Sequence, residues 1–355
     1  MFKENTVFIL GAGASYEAGF PLGSSLAATL AKDLNIYLEG GRLAKGDQLV
    51  YSEMVKLSRE GQFNITQLIQ AGRMIADGVE DAESIDNYVN LHADNVAVQA
   101  VAKLGIVIAI ARAEKQSRLF NYNQQRGRWE VRDSAVANQI HPRQTWYQKF
   151  FEIAKDGVRA LDIEQLFNEV RVICFNYDRS LELFLLVKIM SLYAVDMATA
   201  ARAVQNLKVI RPYGGLGALP QLSQAKNLEF GELEHYRDYW RIGQNIRTYS
   251  ELPGSDTTHA ISSTMSWAKH IVFLGFGFHQ QNMSLLVRHG SPVFAYGTTY
   301  GLSEQNTEAI RQRVHQSFND NFHLHVPHKQ GTGTPTLMNQ TCCEMMSDFK
   351  EVFRD

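Results

Sequence analysis

Residues 7–15 have the composition of a phosphate-binding turn. The first four are apolar and predict a buried strand, and Gly11 and Gly13 after them allow a tight turn with close backbone approach. A helix predicted at residues 24–34 follows, and a strand, a glycine turn and a helix in this order bring free backbone N–H groups to a phosphate. Tyr16 occupies the third glycine position of the usual Gly-x-Gly-x-x-Gly pattern. The glycines could therefore serve a phosphate or only the turn.

Polar side chains follow a second apolar run, at residues 172–175. The run predicts a short strand, and Asn176 and Asp178 come directly after it, before a helix predicted at residues 180–190. Ligands of open α/β sheets bind outside the carboxyl ends of the strands, so these two side chains are expected at a ligand site. Either of them could instead cap the start of the next helix.

A third predicted strand, within residues 207–217, ends in a glycine-rich turn. Arg211, Tyr213 and Gly214 lie in that turn, at the edge of the sheet where Asn176 is also expected. An arginine stays protonated and cannot serve as a general base, so Arg211 could act on a ligand only electrostatically.

A fourth predicted strand, at residues 270–278, contains Gly275 and Gly277 at its end. His279 and Asn282 follow just past that end, where polar side chains could face a ligand. His279 could equally be a capping or surface histidine.

The residues after the first strand also fit a longer and more specific pattern. Residues 11–21 carry every fixed position of Gly-Ala-Gly-x-Ser-x-x-x-Gly-x-Pro. In this the chain resembles the sirtuin-like (silent information regulator-like) NAD-binding proteins of bacterial anti-phage defence. The resemblance implies a Rossmann-type sheet that binds NAD+ and a reaction that breaks the bond between nicotinamide and ribose. It assigns NAD+ contacts to Gly11, Ala12, Gly13, Ser15, Gly19, Pro21, Arg211, Tyr213, Gly214, Gly275 and Gly277.

The resemblance also implies a role for each polar residue at the strand ends. Asn176 would hold the ribose and a water near the anomeric carbon, and Asp178 would contact the nicotinamide amide. Members of the family usually place a histidine where Arg211 or Tyr213 stands here, as the base for the ribose hydroxyl. Without it the site could be weak, use a base from elsewhere, or be inactive. Among the 11 histidines of the chain, His279 is the best stand-in.

Two functions of different classes follow from these residues. The intact Asn176 and Asp178 favour a hydrolase that converts NAD+ to nicotinamide and ADP-ribose and depletes NAD+ in anti-phage defence. The missing histidine favours a weak or inactive scaffold subunit that only binds NAD+ or ADP-ribose. Protein deacylation is not favoured, because the zinc module of sirtuin deacylases uses four cysteines and this chain has three. No metal is expected.

Composition places the chain among ordinary soluble globular proteins. Of its 355 residues, 45% are hydrophobic and 20% are charged, and the net charge of −2 does not indicate direct nucleic-acid binding. The longest apolar run, residues 104–111, is shorter than the roughly 20 residues that a membrane span needs. The N-terminus leads straight into a predicted strand, with no export signal. We therefore expect a reduced, cytoplasmic protein without membrane contact.

Apolar strands that alternate with helices predict an α/β fold. The resemblance implies that its sheet is Rossmann-like and mostly parallel and that the fold has a helical insertion. We assign residues 1–46 and 160–300 to the NAD-binding core, residues 47–159 to a mainly helical insertion, and residues 301–355 to a C-terminal extension.

Four segments receive local predictions. Residues 121–141 are predicted to be an exposed loop or lid, residues 244–251 a short strand and turn, and residues 330–341 a polar loop before a final helix. Residues 84–118 are predicted to be one long helical stretch, which is similar to the helical insertion of sirtuin-like defence proteins. Relatives with this layout pair with a HerA-like hexameric ATPase, so that partner and a homo-oligomer are expected here.

Overall fold

The computed structural model describes residues 1–354 apart from 83, 133–140, 224, 226, 235–236, 249–250, 252, 289–291 and 319–333. The strands are β1 (Thr6–Leu10), β2 (Tyr37–Glu39), β3 (Arg42–Lys45), β4 (Phe120–Asn123), β5 (Arg128–Val131), β6 (Val170–Cys174), β7 (Lys208–Ile210), β8 (His270–Leu274), β9 (Phe294–Thr298) and β10 (Thr336–Met338).

The α-helices surround the strands and build most of residues 47–159. They are α1 (Ala12–Tyr16), α2 (Gly23–Asp33), α3 (Gln48–Arg59), α4 (Ile65–Gly78), α5 (Ile85–Leu91), α6 (Val96–Lys115), α7 (Trp146–Ala154), α8 (Ser180–Tyr193), α9 (Met197–Gln205), α10 (Tyr239–Gly243), α11 (Ser255–Trp267), α12 (Gln280–Leu285), α13 (Glu304–Ser317), α14 (Cys342–Asp348) and α15 (Lys350–Phe353).

Six strands form one parallel sheet in the order β10-β9-β8-β1-β6-β7. β1 lies inside it and pairs with β6 on one side and β8 on the other. All residues of β1 and β8 are buried, as expected for parallel strands covered on both faces. The predicted Rossmann-like α/β fold is therefore confirmed. Because the strands are parallel, the loops that follow them all lie at one edge of the sheet.

The two faces of the sheet have separate apolar cores. On the face covered by α7, the ring of Phe8 contacts Phe2 and Phe150, with centroids 5.4 Å and 5.1 Å away. On the other face, Ile9 and Phe273 share a core with residues of α11, α12 and α13. β1 thus contributes to both cores, which fixes the position of the turn that follows it.

α6 is the central helix of residues 47–159. Residues 100–111 are all buried, and α6 packs against α2, α3, α4, α5 and α10. Among the described residues it is the one helix long and apolar enough to cross a membrane, but 72% of that apolar window is buried inside the protein. Asn95 caps α6 by accepting from the backbone N–H groups of Ala97 and Val98. This cap separates α5 from α6, so the single helical stretch predicted at 84–118 is two helices.

Residues 121–141 were predicted as a loop, and this is wrong for their first part. Residues 120–131 form the antiparallel hairpin β4–β5, while 133–140 lie outside the described residues. Tyr122 and Trp129 face each other across the hairpin with ring centroids 5.5 Å apart, and Gly127 supplies the positive φ of the turn. Cross-strand aromatic pairs of this kind stabilise a hairpin whose composition is otherwise polar.

Two further local predictions are wrong in part, and residues 249–250 and 330–333 of these segments lie outside the described residues. The described part of residues 244–251 contains no strand, and its only ladder contact is an isolated bridge between Ile246 and Gly214. The predicted loop at 330–341 contains β10, which pairs with β9 and becomes an edge strand of the sheet. In both segments tertiary contact decides whether a few residues pair, which local propensity does not report.

Candidate functional site

The loops after β1 and β8 touch through their glycines. The N–H groups of Gly11 and Gly13 donate to the carbonyls of Leu274 and Gly275, at 3.1 Å and 2.9 Å. A Cβ on Gly11 would lie 2.5 Å from the Gly275 oxygen, and one on Gly13 would lie 2.8 Å from the Gly275 Cα. Gly275 has a φ of +54°, which favours glycine. The close backbone approach is therefore explained by loop–loop packing, and phosphate binding at this turn stays a prediction.

We expect Gly13→Ala to lower the free energy of unfolding by about 1–3 kcal/mol, the usual cost of overpacking. The reason is the backbone of Gly275, which cannot move aside as a flexible side chain can. Denaturant unfolding measures the change. Gly23→Ala is the matched control, because nothing lies within 4 Å of its added methyl. Equal unfolding midpoints for Gly13→Ala and wild type would contradict the tight fit.

The other residues of the glycine-rich pattern hold the chain after the turn. Gly19 has a φ of +92°, and a Cβ there would lie 2.9 Å from Cγ of Arg118. The carbonyl of Ala18 accepts from the backbone N–H of Arg118 at 2.9 Å. Ala12 is exposed and Pro21 is partly exposed. Gly19 is thus required by its backbone conformation and by the contact with the end of α6.

The amide of Asn176, after β6, is oriented by the β1 turn. Its Nδ2 donates to the Gly11 carbonyl and to Ser15 Oγ, both at 2.8 Å. A carbonyl can only accept, so the nitrogen of the amide must be the end that faces the turn. Ser15 in turn donates its hydroxyl proton to Oδ2 of Asp178 at 2.6 Å. The hydrogen bonds therefore run in one direction, from Asn176 through Ser15 to Asp178.

This orientation leaves the amide oxygen of Asn176 available. The described residues offer no hydrogen-bond donor to Oδ1, and this oxygen is not among the fully buried atoms that lack a partner. The residue as a whole is only 8% exposed. A pre-oriented acceptor that keeps slight access from outside can hold a water or a sugar hydroxyl.

Asp178 is tied to the start of α8 as well as to the β1 turn. Its Oδ1 accepts from the backbone N–H of Ser180 at 3.0 Å and also from the Ser180 hydroxyl. The Tyr147 hydroxyl of α7 lies 2.9 Å from Ser180 Oγ, and burial and the Asp178 charge raise the pKa of Tyr147 well above its usual value. Asp178 therefore binds the first backbone N–H of α8, whose N-cap residue is Arg179, whereas Asn176 bonds to the β1 turn.

Arg211, after β7, is engaged within the chain. Its Nη1 lies 2.6 Å from Glu182, and its Nη2 donates to the backbone carbonyl of Asp178 at 2.9 Å. The Tyr213 hydroxyl donates to Oδ1 of Asn282 at 2.9 Å, which joins the loops after β7 and β8. Arg211 and Tyr213 thus position the loops around Asn176.

Gly214 meets a backbone requirement in the same turn. Its φ is +69°, and a Cβ there would lie 1.8 Å from the Asn245 oxygen. The turn after β7 is therefore packed against residues 245–247 through this glycine, and no side chain fits at that position.

His279 follows an unusual backbone conformation. Phe278 has a φ of +53°, is fully buried, and its carbonyl accepts a hydrogen bond from Arg313 of α13. Non-glycine residues in this region are strained, and such strain is common at functional sites. A Cβ on Gly277 would lie 2.8 Å from Nε2 of His279, so this glycine leaves room for the imidazole. The loop after β8 therefore fixes the position of a partly exposed histidine at the sheet edge.

One residue at this edge was not singled out from the sequence. Asp86 lies in the first turn of α5, and its Oδ1 accepts from the Tyr177 hydroxyl at 3.1 Å. His279 is close enough for its positive form to act on the Asp86 charge. Ile85 and Val89 of the same helix are buried in the core. Nothing in the spacing indicated that Asp86 faces the strand ends.

A cavity of about 1040 Å³ lies elsewhere, between the β4–β5 hairpin, α8 and residues 229–234. None of the candidate site residues line this cavity, so its volume is not evidence for a ligand site at the strand ends. Within the described ranges, no group of three or more His, Cys, Asp or Glu side chains is arranged to hold a metal ion.

Comparison of the chain with protein-family models, with curated proteins and with solved structures yields no match. The function is therefore argued from the fold class, the geometry of the site and the sequence motifs.

Proposed function

We propose that this protein is an NAD+ hydrolase that cleaves the bond between nicotinamide and ribose. The observation that carries the proposal is the fixed direction of the hydrogen bonds from Asn176 through Ser15 to Asp178. These hydrogen bonds turn the amide oxygen of Asn176 outward at the carboxyl edge of the parallel sheet, and open α/β proteins bind ligands at that edge. The sequence resemblance to sirtuin-like proteins supplies the substrate class.

The chemistry needs dipoles around the sugar and a placed water. As the C1′–N bond breaks, its electron pair moves to the pyridinium nitrogen and positive charge develops on the ribose. Oδ1 of Asn176 would accept a hydrogen bond from the attacking water and lie near that charge, and it costs no reorganisation because its amide is already held. Asp178 keeps Ser15 in place, and its contact with the nicotinamide amide remains part of the proposal.

The test is release of nicotinamide and ADP-ribose from NAD+ by the purified chain, followed by chromatography. We expect equal amounts of the two products from wild type. The assay is repeated with the products of neighbouring genes, including any HerA-like ATPase among them, because the proposal includes activity that arises only in an assembly. No release of nicotinamide under either condition would contradict the hydrolase proposal.

A binding subunit without catalysis is the second candidate, and Arg211 favours it. Arg211 stands at one of the two positions where the family usually places its histidine, and it is paired with Glu182 and the Asp178 carbonyl. A thermal-shift measurement with NAD+, combined with the nicotinamide assay, separates the two candidates. A ligand that binds only the folded state raises the melting temperature of the protein. A shift with NAD+ and no nicotinamide release would favour the binding subunit.

The biological setting is proposed on the resemblance alone. It comprises NAD+ depletion in anti-phage defence, a HerA-like hexameric ATPase as partner, a homo-oligomer and a cytoplasmic location. Size determination of the chain with and without that ATPase tests the assembly directly.

A further inference from the structure

Asp86, in the mainly helical residues 47–159, contacts one loop of the candidate site and lies near another. Ser84 caps α5 by accepting from the N–H of Asn87, which places Asp86 in the first turn. Its carboxylate meets Tyr177 of the loop after β6 and lies near His279 of the loop after β8. In the sheet, β6 and β8 flank β1 on opposite sides. A carboxylate that faces both loops therefore lies at the same edge of the sheet as the turn after β1.

Helix stability does not account for this placement. An acidic residue in the first turn of a helix is favourable by about 0.3–1 kcal/mol wherever its side chain points. Asp86 instead points to Tyr177, the residue between Asn176 and Asp178. The strained backbone at Phe278 holds His279 on the other side. Two loops that carry candidate site residues thus converge on one carboxylate.

The surroundings also adjust the acidity of Asp86. Burial raises its pKa to about 6, against the lowering effects of the Tyr177 hydrogen bond and of the His279 charge. Among the described residues these two are the ionisable groups that face it. A carboxylate with such a pKa is ionised at neutral pH and is a stronger base than an ordinary aspartate.

We propose that Asp86 is the proton acceptor for the attacking water. This assignment rests on the proposed NAD+ hydrolysis. The water oxygen bonds to C1′ of the ribose, and the C1′–N bond breaks with its electron pair on the pyridinium nitrogen. The water proton passes to the Asp86 carboxylate and then to solvent. The products are neutral nicotinamide, ADP-ribose and one proton, so atoms and charge balance.

Asp86→Asn tests the assignment through the pH dependence of nicotinamide release. A carboxylate base is active when ionised, so the wild-type rate should fall as the pH is lowered through about 6. Asp86→Asn keeps an acceptor for Tyr177 but cannot take a proton, so we expect roughly 10²–10⁴-fold slower release and no such acid limb. Asp94→Asn is the matched control, because it removes the same charge from an exposed turn after α5.

Tyr177→Phe provides a second readout if Asp86→Asn does not fold. The Tyr177 hydrogen bond stabilises the ionised carboxylate, so its removal should move the acid limb to higher pH while substantial activity remains. Wild-type rate and acid limb in a folded Asp86→Asn would overturn the role of Asp86 and leave NAD+ hydrolysis standing. An unmoved limb in Tyr177→Phe would also count against Asp86. Absence of nicotinamide release from wild type, alone and with the ATPase, would overturn hydrolysis and the Asp86 role together.

Discussion

Asn176→Ala is expected to slow nicotinamide release by roughly 10²–10³-fold, the usual effect of removing one pre-oriented dipole from a transition state. The substitution deletes both the Oδ1 that faces outward and the Nδ2 that holds it through Gly11 and Ser15. Because Ser15 still donates to Asp178, the start of α8 should keep its hydrogen bonds. The measurement is the rate of nicotinamide release at saturating NAD+.

Asn206→Ala is the matched control for that variant. Its Nδ2 also donates to a backbone carbonyl, that of Glu164 at 2.8 Å, but on the exposed surface away from the strand ends. We expect it to retain the wild-type rate. A folded Asn176→Ala with unchanged turnover would remove Asn176 from the mechanism.

Glu114→Ala is expected to give the largest loss of stability, about 3–5 kcal/mol, because it leaves a buried arginine without its carboxylate partner. Glu114 of α6 and Arg179 form a two-pronged pair, with Nε–Oε1 at 3.0 Å and Nη2–Oε2 at 2.6 Å. Their side chains are 0% and 2% exposed. Domains are typically stable by only about 5–15 kcal/mol, so this is a large share of the total. Denaturant unfolding measures it.

The same substitution should also disturb the candidate site. Without Glu114, Arg179 keeps only the backbone carbonyls of Leu228 and Glu229 as partners. Its movement should displace the neighbouring Asp178, which accepts from Ser15 and Ser180. Glu164→Ala is the control, because Glu164 and Arg202 are more than half exposed and such pairs contribute about 0–1 kcal/mol. A loss of stability as small as that of Glu164→Ala would show that Arg179 finds other compensation.

The location of the candidate site could be predicted because it depends on local patterns. Apolar runs at 7–10 and 172–175 predict strands, and parallel strands put their following residues at one edge. That rule puts Asn176 and Ser15 at the same edge, where Nδ2 of Asn176 lies 2.8 Å from Oγ of Ser15. The role of the glycines could not be predicted in the same way. Gly11 and Gly13 pack against the backbone of Gly275, and a local sequence pattern does not show whether a phosphate or another loop lies against such a turn.

The sequence by itself determined the α/β class, the central strands and the polar residues at their ends. Strand formation there follows from continuous apolar residues, and this signal lies within each segment. Only the tertiary structure decided that β10 joins the sheet, that residues 120–131 form a hairpin, and that Asp86 faces Tyr177. Asp86 and Tyr177 are separated by 91 positions in the chain. Contacts at such distances depend on how helices pack onto the sheet, and that packing is set by the shape of the whole core rather than by the residues around either partner.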